Sequence, residues 1–342
     1  MTVSWQRRLL WLLIFCLLIC FAACTTDRND FRNDPRQSSD RQLIVGEPYR
    51  SLQNAPLYVA LAKDFFAQNQ LDVIIEQYND TDEAAQELLT ARKHFLVSTS
   101  DKIFYLYQQE QKDFLVYAQL SKSNAYYLLA RENKPLEWPN LKNKVILGYR
   151  GGDLPWVLLQ AELRKKNLNP FLSYSPVDNL AYDLVPAVFR AGSGDFLLAE
   201  EPAVSALEAD EKGYILSSLR LTAGELPAHT VLVSKEFYNN YPEQCRSFLS
   251  ALQQAADWLE QESPAEIADC LKDFFPEYPE VILQRAAGRY KNNDSWSALQ
   301  PDQEAWQKLQ EIMIQEKELR QIIPAEELFA STLLPELPEN SE

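Results

Sequence analysis

The chain has 342 residues, 46% hydrophobic and 24% charged, which is enough for a sizeable core, and it sets 49 acidic residues against 33 Lys and Arg. A formal net charge of −16 argues against a nucleic-acid partner, since binding phosphate backbones needs a basic patch. With two histidines, five cysteines and no Cys-x-x-Cys or His-x-x-x-His spacing, a transition-metal site has little to stand on, and no metal or cofactor is expected.

Arg7 and Arg8 precede an uncharged apolar run of fifteen residues, Leu9 to Ala23, the pattern of a secretory signal. A spanning helix needs about 20 such residues. The run closes Phe21-Ala22-Ala23-Cys24, which resembles the lipobox at which bacterial lipoproteins are cleaved and diacylated, although Phe21 stands where Leu is usual. Residues 1–23 are therefore expected to be a lipoprotein signal peptide and Cys24 the lipid attachment site. The alternative is an uncleaved anchor helix, and either reading places the body outside the cytoplasm on a membrane. Loss of Arg7 and Arg8 would deepen the side-chain charge to −18. Residues 24–42, rich in Asp, Arg, Asn and Ser, cannot bury enough apolar surface to order themselves and read as a flexible tether. Cys245 and Cys270 then remain, as one disulfide or as two buried thiols.

From Leu43 short apolar runs alternate with amphipathic stretches, as in an α/β protein with parallel sheets. Strands are expected at Leu43–Val45, Leu71–Glu76, Phe95–Ser98, Phe114–Gln119, Tyr126–Ala130, Lys144–Tyr149, Phe196–Ala199, Tyr214–Leu216 and Thr230–Ser234. Helices are expected at Pro56–Gln68, Asp82–Arg92, Lys102–Gln109, Pro155–Lys166, Ala181–Arg190 and Ala203–Asp210. Beyond Lys235 the strand signal stops. Phe248, Leu252, Ala255 and Leu259, then Trp306, Leu309 and Met313, form helical stripes, so the C-terminal third is a helical addition. Residues 331–342 read as a disordered tail. Close to 290 residues between tether and tail are too many for one ordinary core and suit two lobes.

Three stretches and the chain end carry a family resemblance. Residues 51–74, SLQNAPLYVALAKDFFAQNQLDVI, 141–170, LKNKVILGYRGGDLPWVLLQAELRKKNLNP, and 183–214, DLVPAVFRAGSGDFLLAEEPAVSALEADEKGY, with Trp306 through Leu328, resemble the solute-binding lipoproteins of ABC transporters in the nitrate/sulfonate/taurine and thiamine-pyrimidine-precursor binding class. Where that class usually has Gly this chain has Asp64, Gln70 and Asn167, so those turns must be made by Asp, Gln and Asn. The resemblance implies a two-lobed periplasmic-binding-protein-like fold: two parallel or mixed sheets flanked by helices, two hinge-crossing strands, and a ligand in the cleft between lobes. On this chain it puts residues 43–128 and 232–330 in the first lobe and 129–231 in the second, with crossings near Tyr126–Arg131 and Thr230–Ser234.

Ligands of open α/β sheets sit beyond the carboxyl ends of strands, where helix N-termini offer free N–H groups. Four segments meet that rule: Ser51–Asn54, Ser98-Thr99-Ser100, Arg150-Gly151-Gly152-Asp153, and Glu200-Glu201-Pro202. The candidate ligand-binding residues are Asn54 and Tyr58; Ser98, Thr99 and Ser100; Tyr126; Gly151, Gly152, Asp153 and Trp156; and Glu201. Several have a plainer alternative: a helix cap for Asn54, turn and cap residues for Ser98, Thr99 and Ser100, a plain turn for the glycines, a core aromatic for Trp156 and a solvated or ion-paired residue for Glu201. Tyr126 and Tyr127 are adjacent, so strand alternation turns one of them to the cleft.

A carboxylate among aromatics favours a planar, hydrogen-bond-donating heterocycle such as a thiamine pyrimidine precursor. A sulfonate, taurine or nitrate would prefer Arg150, the serines and helix N-termini. The expected function is capture of a small molecule by a monomer that hands it to ABC permease subunits; a lipid-anchored sensor without a permease is the alternative. No P-loop, nucleophile elbow or triad pattern points to an enzyme.

Overall fold

The computed structural model describes residues 42–78, 81–90, 94–150, 153–220, 224–296 and 299–331. The leader, Cys24, nearly all of the expected tether, the Gly151-Gly152 pair and residues 332–342 lie outside the described residues.

Two five-stranded sheets form the body. In the first the order is β2 (Asp72–Gln77), β1 (Gln42–Glu47), β3 (Phe95–Thr99), β10 (His229–Ser234), β4 (Phe114–Ser121); in the second it is β7 (Ser175–Val177), β6 (Val145–Leu147), β8 (Phe196–Ala199), β5 (Tyr127–Ala130), β9 (Tyr214–Ser218). Both sheets share one plan. Three parallel strands come first, and the fourth position is taken by an antiparallel strand, β10 against β3 and β4, β5 against β8 and β9. Each antiparallel strand is the one the chain enters on changing sheets, so the sheets are mixed. It also brings the beginnings of β5 and β10 to the edge where the parallel strands end.

The crossings lie earlier than the sequence suggested. Tyr127–Ala130 is a full strand of the second sheet and Thr230–Val231 pairs within the first, so the chain changes sheets through residues 122–126 and again between β9 and β10. An apolar run cannot distinguish a strand from the linker leading into it. β7 escaped notice because it is a short edge strand, Ser-Pro-Val, with two exposed residues, and edges are where strands tolerate proline.

The expected helix Pro56–Gln68 is two: Ala55–Ala62 and Phe65–Gln68, parted where Asp64 takes φ 58°. Gln70 (φ 63°) and Asn167 (φ 58°) make the other two left-handed turns that lack glycine. The first helix is buried around its whole circumference from Ala55 to Ala60, as befits a helix enclosed on all sides; it packs on helix Pro242–Gln261. That long helix buries Cys245, Phe248, Leu252, Ala255 and Leu259 on one stripe, and Phe248 stacks on Phe66 and Phe95 with centroids 5.1 and 4.0 Å apart. Cys245 and Cys270 are free thiols.

The C-terminal helices close the first sheet and reach the second. Phe329 bridges to Val116 and so covers part of edge strand β4. Arg164 on helix Leu154–Lys165 pairs with Glu316 at 2.7 Å, and Arg289 on helix Glu280–Asn292 pairs with Glu201 and Glu208.

Candidate functional site

The facing strand ends converge on a cluster of buried acids, phenols and amides. Glu47 closes β1 and is fully buried. Its carboxylate accepts from the amide of Asn54 at 2.9 Å and from the Tyr58 hydroxyl, and it pairs with Arg50 at 3.0 Å. The same Asn54 turns its carbonyl oxygen to Nδ1 of His229, 2.7 Å away. Asn54 stands at the N-cap of the helix without bonding it through its side chain, so the cap reading fails and the residue links strand to strand. His229 can reach it because β10 runs antiparallel: its first residue pairs with Thr99 and Ser121, the ends of β3 and β4.

From the second sheet comes Glu200, one residue past β8. One oxygen accepts from Gln53 Nε2 across the cleft at 2.5 Å, and the other from the Tyr182 hydroxyl. Tyr149, past β6, places its hydroxyl 3.4 Å from the Glu200 amide. The three rings Tyr49, Tyr182 and Tyr149 are stacked, with successive centroids 3.8 and 4.3 Å apart. Beside them opens a cavity of about 700 Å³, bordered among others by Arg50, Tyr78, Phe275 and Tyr278.

Burial governs the charges. Desolvation raises the carboxyls of Glu47 and Glu200 to about 7, against the pull of Arg50, Tyr58 and Asn54 on the first and of Tyr182, Ser51 and Gln53 on the second. Asp101 is pushed by burial to about 6, and His229 is held down to about 3 by desolvation. The phenols of Tyr49, Tyr126, Tyr149 and Tyr182 are driven well above their usual range, first by burial, and stay protonated donors. Several buried atoms here have no hydrogen-bond partner among the described residues: the Tyr126 hydroxyl, Nε2 of His229, Ser100 Oγ, one oxygen of Asp101, and both amide atoms of Asn124. Buried polar groups are normally satisfied, so these atoms mark the cluster as a candidate site.

The folded carboxyls of Glu47, Glu200 and Asp101 are raised, so they favour the folded state below their unfolded pKa values and that contribution fades as pH rises through 6 to 7. His229 acts oppositely, because the unfolded chain takes up its proton first. Three carboxyls outnumber one imidazole, so the ligand-free protein should gain melting temperature from about pH 8 to about pH 5 and lose it below. A steady fall between pH 8 and 5 would contradict the neutral, buried character of the site.

Several candidates sit elsewhere than expected. The Tyr58 ring is in the core, stacked on Phe274 with centroids 4.9 Å apart, and its hydroxyl is committed to Glu47. Ser98 is turned into the sheet, its hydroxyl on the Thr99 carbonyl at 3.1 Å. Thr99 is half-buried and supports Asp101. Ser100 and Tyr126 are in the cluster. Asp153 leads into helix Leu154–Lys165 and is close enough to influence Tyr49. Trp156 is core: its indole N–H donates to the Tyr149 carbonyl at 2.7 Å, and its ring lies against Gly148, where a Cβ would meet it at 2.5 Å. Glu201 borders the cavity with its oxygens bonded to Ser205 and to the cation Arg289; its neighbour Glu200 borders it too, and is bonded to the neutral groups of Gln53 and Tyr182. Arg150 is exposed. Glu47, Tyr49, Tyr149, Tyr182 and His229 were not among the sequence candidates, and Gln53 and Glu200 lay in candidate segments without being singled out. The strand-end rule applied to β1 would have found Glu47, whereas Tyr182 lies in a loop that carries no signal.

A model of the family described as NMT1/THI5 like matches residues 51–267, which include most of these elements. The chain belongs to that family. It is 29% identical over 290 residues to YtlA of Bacillus subtilis (strain 168), a protein provisionally named as a binding protein, covering 83% of this chain and 86% of that one. The fold is shared with the alkanesulfonate-binding protein SsuA from Xanthomonas axonopodis pv. citri bound to MOPS (TM-score 0.69, 18% identity, 84% of this chain and 98% of that one). It is shared too with the periplasmic nitrate-binding protein NrtA from Synechocystis PCC 6803 (TM-score 0.67, 15% identity, 82% of each chain). The ligand-binding component of an ABC-type import system from Staphylococcus aureus, with zinc bound, superposes with a TM-score of 0.71 at 12% identity, over 86% of this chain and 97% of that one.

Proposed function

We propose that the protein is the extracytoplasmic solute-binding component of an ABC importer and that its cleft takes a planar heterocycle rich in hydrogen-bond donors, an aminopyrimidine of the thiamine-precursor kind. The observation that carries the ligand class is Glu200: a carboxylate at the cleft, beside phenols, with no cation among its hydrogen-bond partners in the described residues. An amino group or protonated ring nitrogen can donate to such an oxygen while the ring lies on tyrosine. An oxyanion would bring like charge to Glu200, and Arg50, a guanidinium that borders the cavity, is already engaged with Glu47. Two lobes that close on the ligand by hinge motion, with residues 122–126 and the segment before β10 as hinges, complete the reading.

A thermal-shift panel of residues 25–342 with aminopyrimidines, thiamine, riboflavin, taurine, alkanesulfonates and nitrate tests it. A ligand at a hundred times its dissociation constant adds about 2.7 kcal/mol of stability. An aminopyrimidine hit is the expected result; a shift with sulfonate or nitrate alone would replace this ligand class with an oxyanion.

We propose, too, that the protein carries a lipid anchor on Cys24 after removal of the leader. Cys24→Ser should release the protein from the membrane fraction with an unchanged melting temperature, and undiminished membrane retention would defeat the anchor. Transport rather than sensing would show as loss of uptake of the ligand in cells lacking the protein.

A further inference from the structure

In the cleft one planar ring is held on both faces, and that ring belongs to the protein. Tyr182 stacks on Tyr49 with a centroid separation of 3.8 Å and on Tyr149 with 4.3 Å, at an interplanar angle of 15° in each case. The two outer rings come from opposite sides, Tyr49 just past β1 of the first sheet and Tyr149 just past β6 of the second. The middle ring comes from the loop between β7 and helix Leu184–Arg190, where Ala181, Asp183 and Leu184 are exposed. Its hydroxyl donates to Glu200. Tyr182 also borders the cavity of about 700 Å³, large enough to receive a phenol that leaves its place.

We propose that the slot between Tyr49 and Tyr149 is the ring subsite of the cleft and that Tyr182 is its internal occupant, displaced into the adjoining cavity by an incoming planar ring with a hydrogen-bond donor. The phenol then copies the ligand in two respects: a flat ring between two others and one donor to Glu200. The ligand must supply both to take its place. An aliphatic sulfonate supplies neither. Because occupant and ligand compete for one slot, the apparent affinity falls by the fraction of molecules in which the slot is open. The slot itself is read from geometry, while the class of ligand rests on the function proposed above.

The test is calorimetric titration of the full-length protein, its Tyr182→Ala variant and its Tyr182→Phe variant with 4-aminopyrimidine. Removing the occupant should tighten binding by about tenfold or more, as for a slot closed nine-tenths of the time. Tyr182→Phe, which keeps the stack and loses the donor, should fall between. Equal or weaker binding by Tyr182→Ala would overturn the proposal, since a tyrosine that stacks on the ligand would be missed when removed. If no form binds 4-aminopyrimidine, the ligand class fails and the slot is judged with phenol, the excised side chain itself. Phenol should raise the melting temperature of Tyr182→Ala and leave the parent unchanged; equal shifts, or none in either, would overturn it.

Discussion

Glu200→Gln should weaken capture of an aminopyrimidine by about 1.5–3 kcal/mol, a factor of roughly 10 to 150, the range of a hydrogen bond to a charged group. The substitution keeps the shape of the side chain and one accepting oxygen for Gln53, and turns an NH2 donor to where Tyr182 or the ligand would donate, so the loss would report both the charge and the second acceptor. Glu200 is buried and raised to about 7, and a donating ligand lowers it again by favouring the ionised form. The effect should therefore be largest above pH 7 and shrink below it. Glu201→Gln is the control one residue away: its carboxylate already serves Ser205 and Arg289, so affinity should stay within about twofold. Calorimetric titration of both variants decides the matter. Equal losses would mean that the two carboxylates have not divided their work as the geometry has it.

Arg289→Ala should cost about 3 kcal/mol of stability, read by urea unfolding. Its guanidinium reaches Glu201 and Glu208, and the Glu201 side chain is fully buried. Removing one partner leaves a charge enclosed without a counter-ion, which is far costlier than losing a surface pair. Glu201 is already raised by burial, with Arg289 as the first influence against that rise. Without Arg289 it rises further, so the destabilisation should be greater at pH 8 than at pH 5. The double variant Arg289→Ala with Glu201→Gln should recover part of the loss, because an amide in that place needs no counter-ion. An Arg289→Ala protein as stable as its parent would show that the C-terminal helix does not hold the second sheet through this pair.

The fold was largely legible because its elements obey local rules. Alternating apolar runs marked β1 to β6 and β8 to β10, and the three missing glycines correctly foretold left-handed Asp64, Gln70 and Asn167. What the pattern could not give was where one element stops: the helix Pro56–Gln68 breaks at Asp64, and Tyr127–Ala130 is a strand and not a crossing. The site was legible by segment and less so by residue. Ser51–Asn54 and Glu200-Glu201-Pro202 do meet, through the bond from Gln53 to Glu200, yet the pairing of Glu201 depends on a distant partner, Arg289, that no local reading reveals. His229 and Tyr126 reach the site because β10 and β5 run antiparallel, which is a property of sheet order. Tyr182 arrives from a loop with no periodicity.

Which chemistry the cleft accepts is tested most directly by a paired titration of residues 25–342 with 4-amino-5-hydroxymethyl-2-methylpyrimidine and with taurine, in the same buffer at pH 7.5. Saturable heat with the pyrimidine and none with taurine is the predicted result, and the heat should diminish in Glu200→Gln. Saturable binding of taurine with silence from the pyrimidine would contradict it, and would mean that the buried carboxylates are sheltered from the ligand and do not receive it.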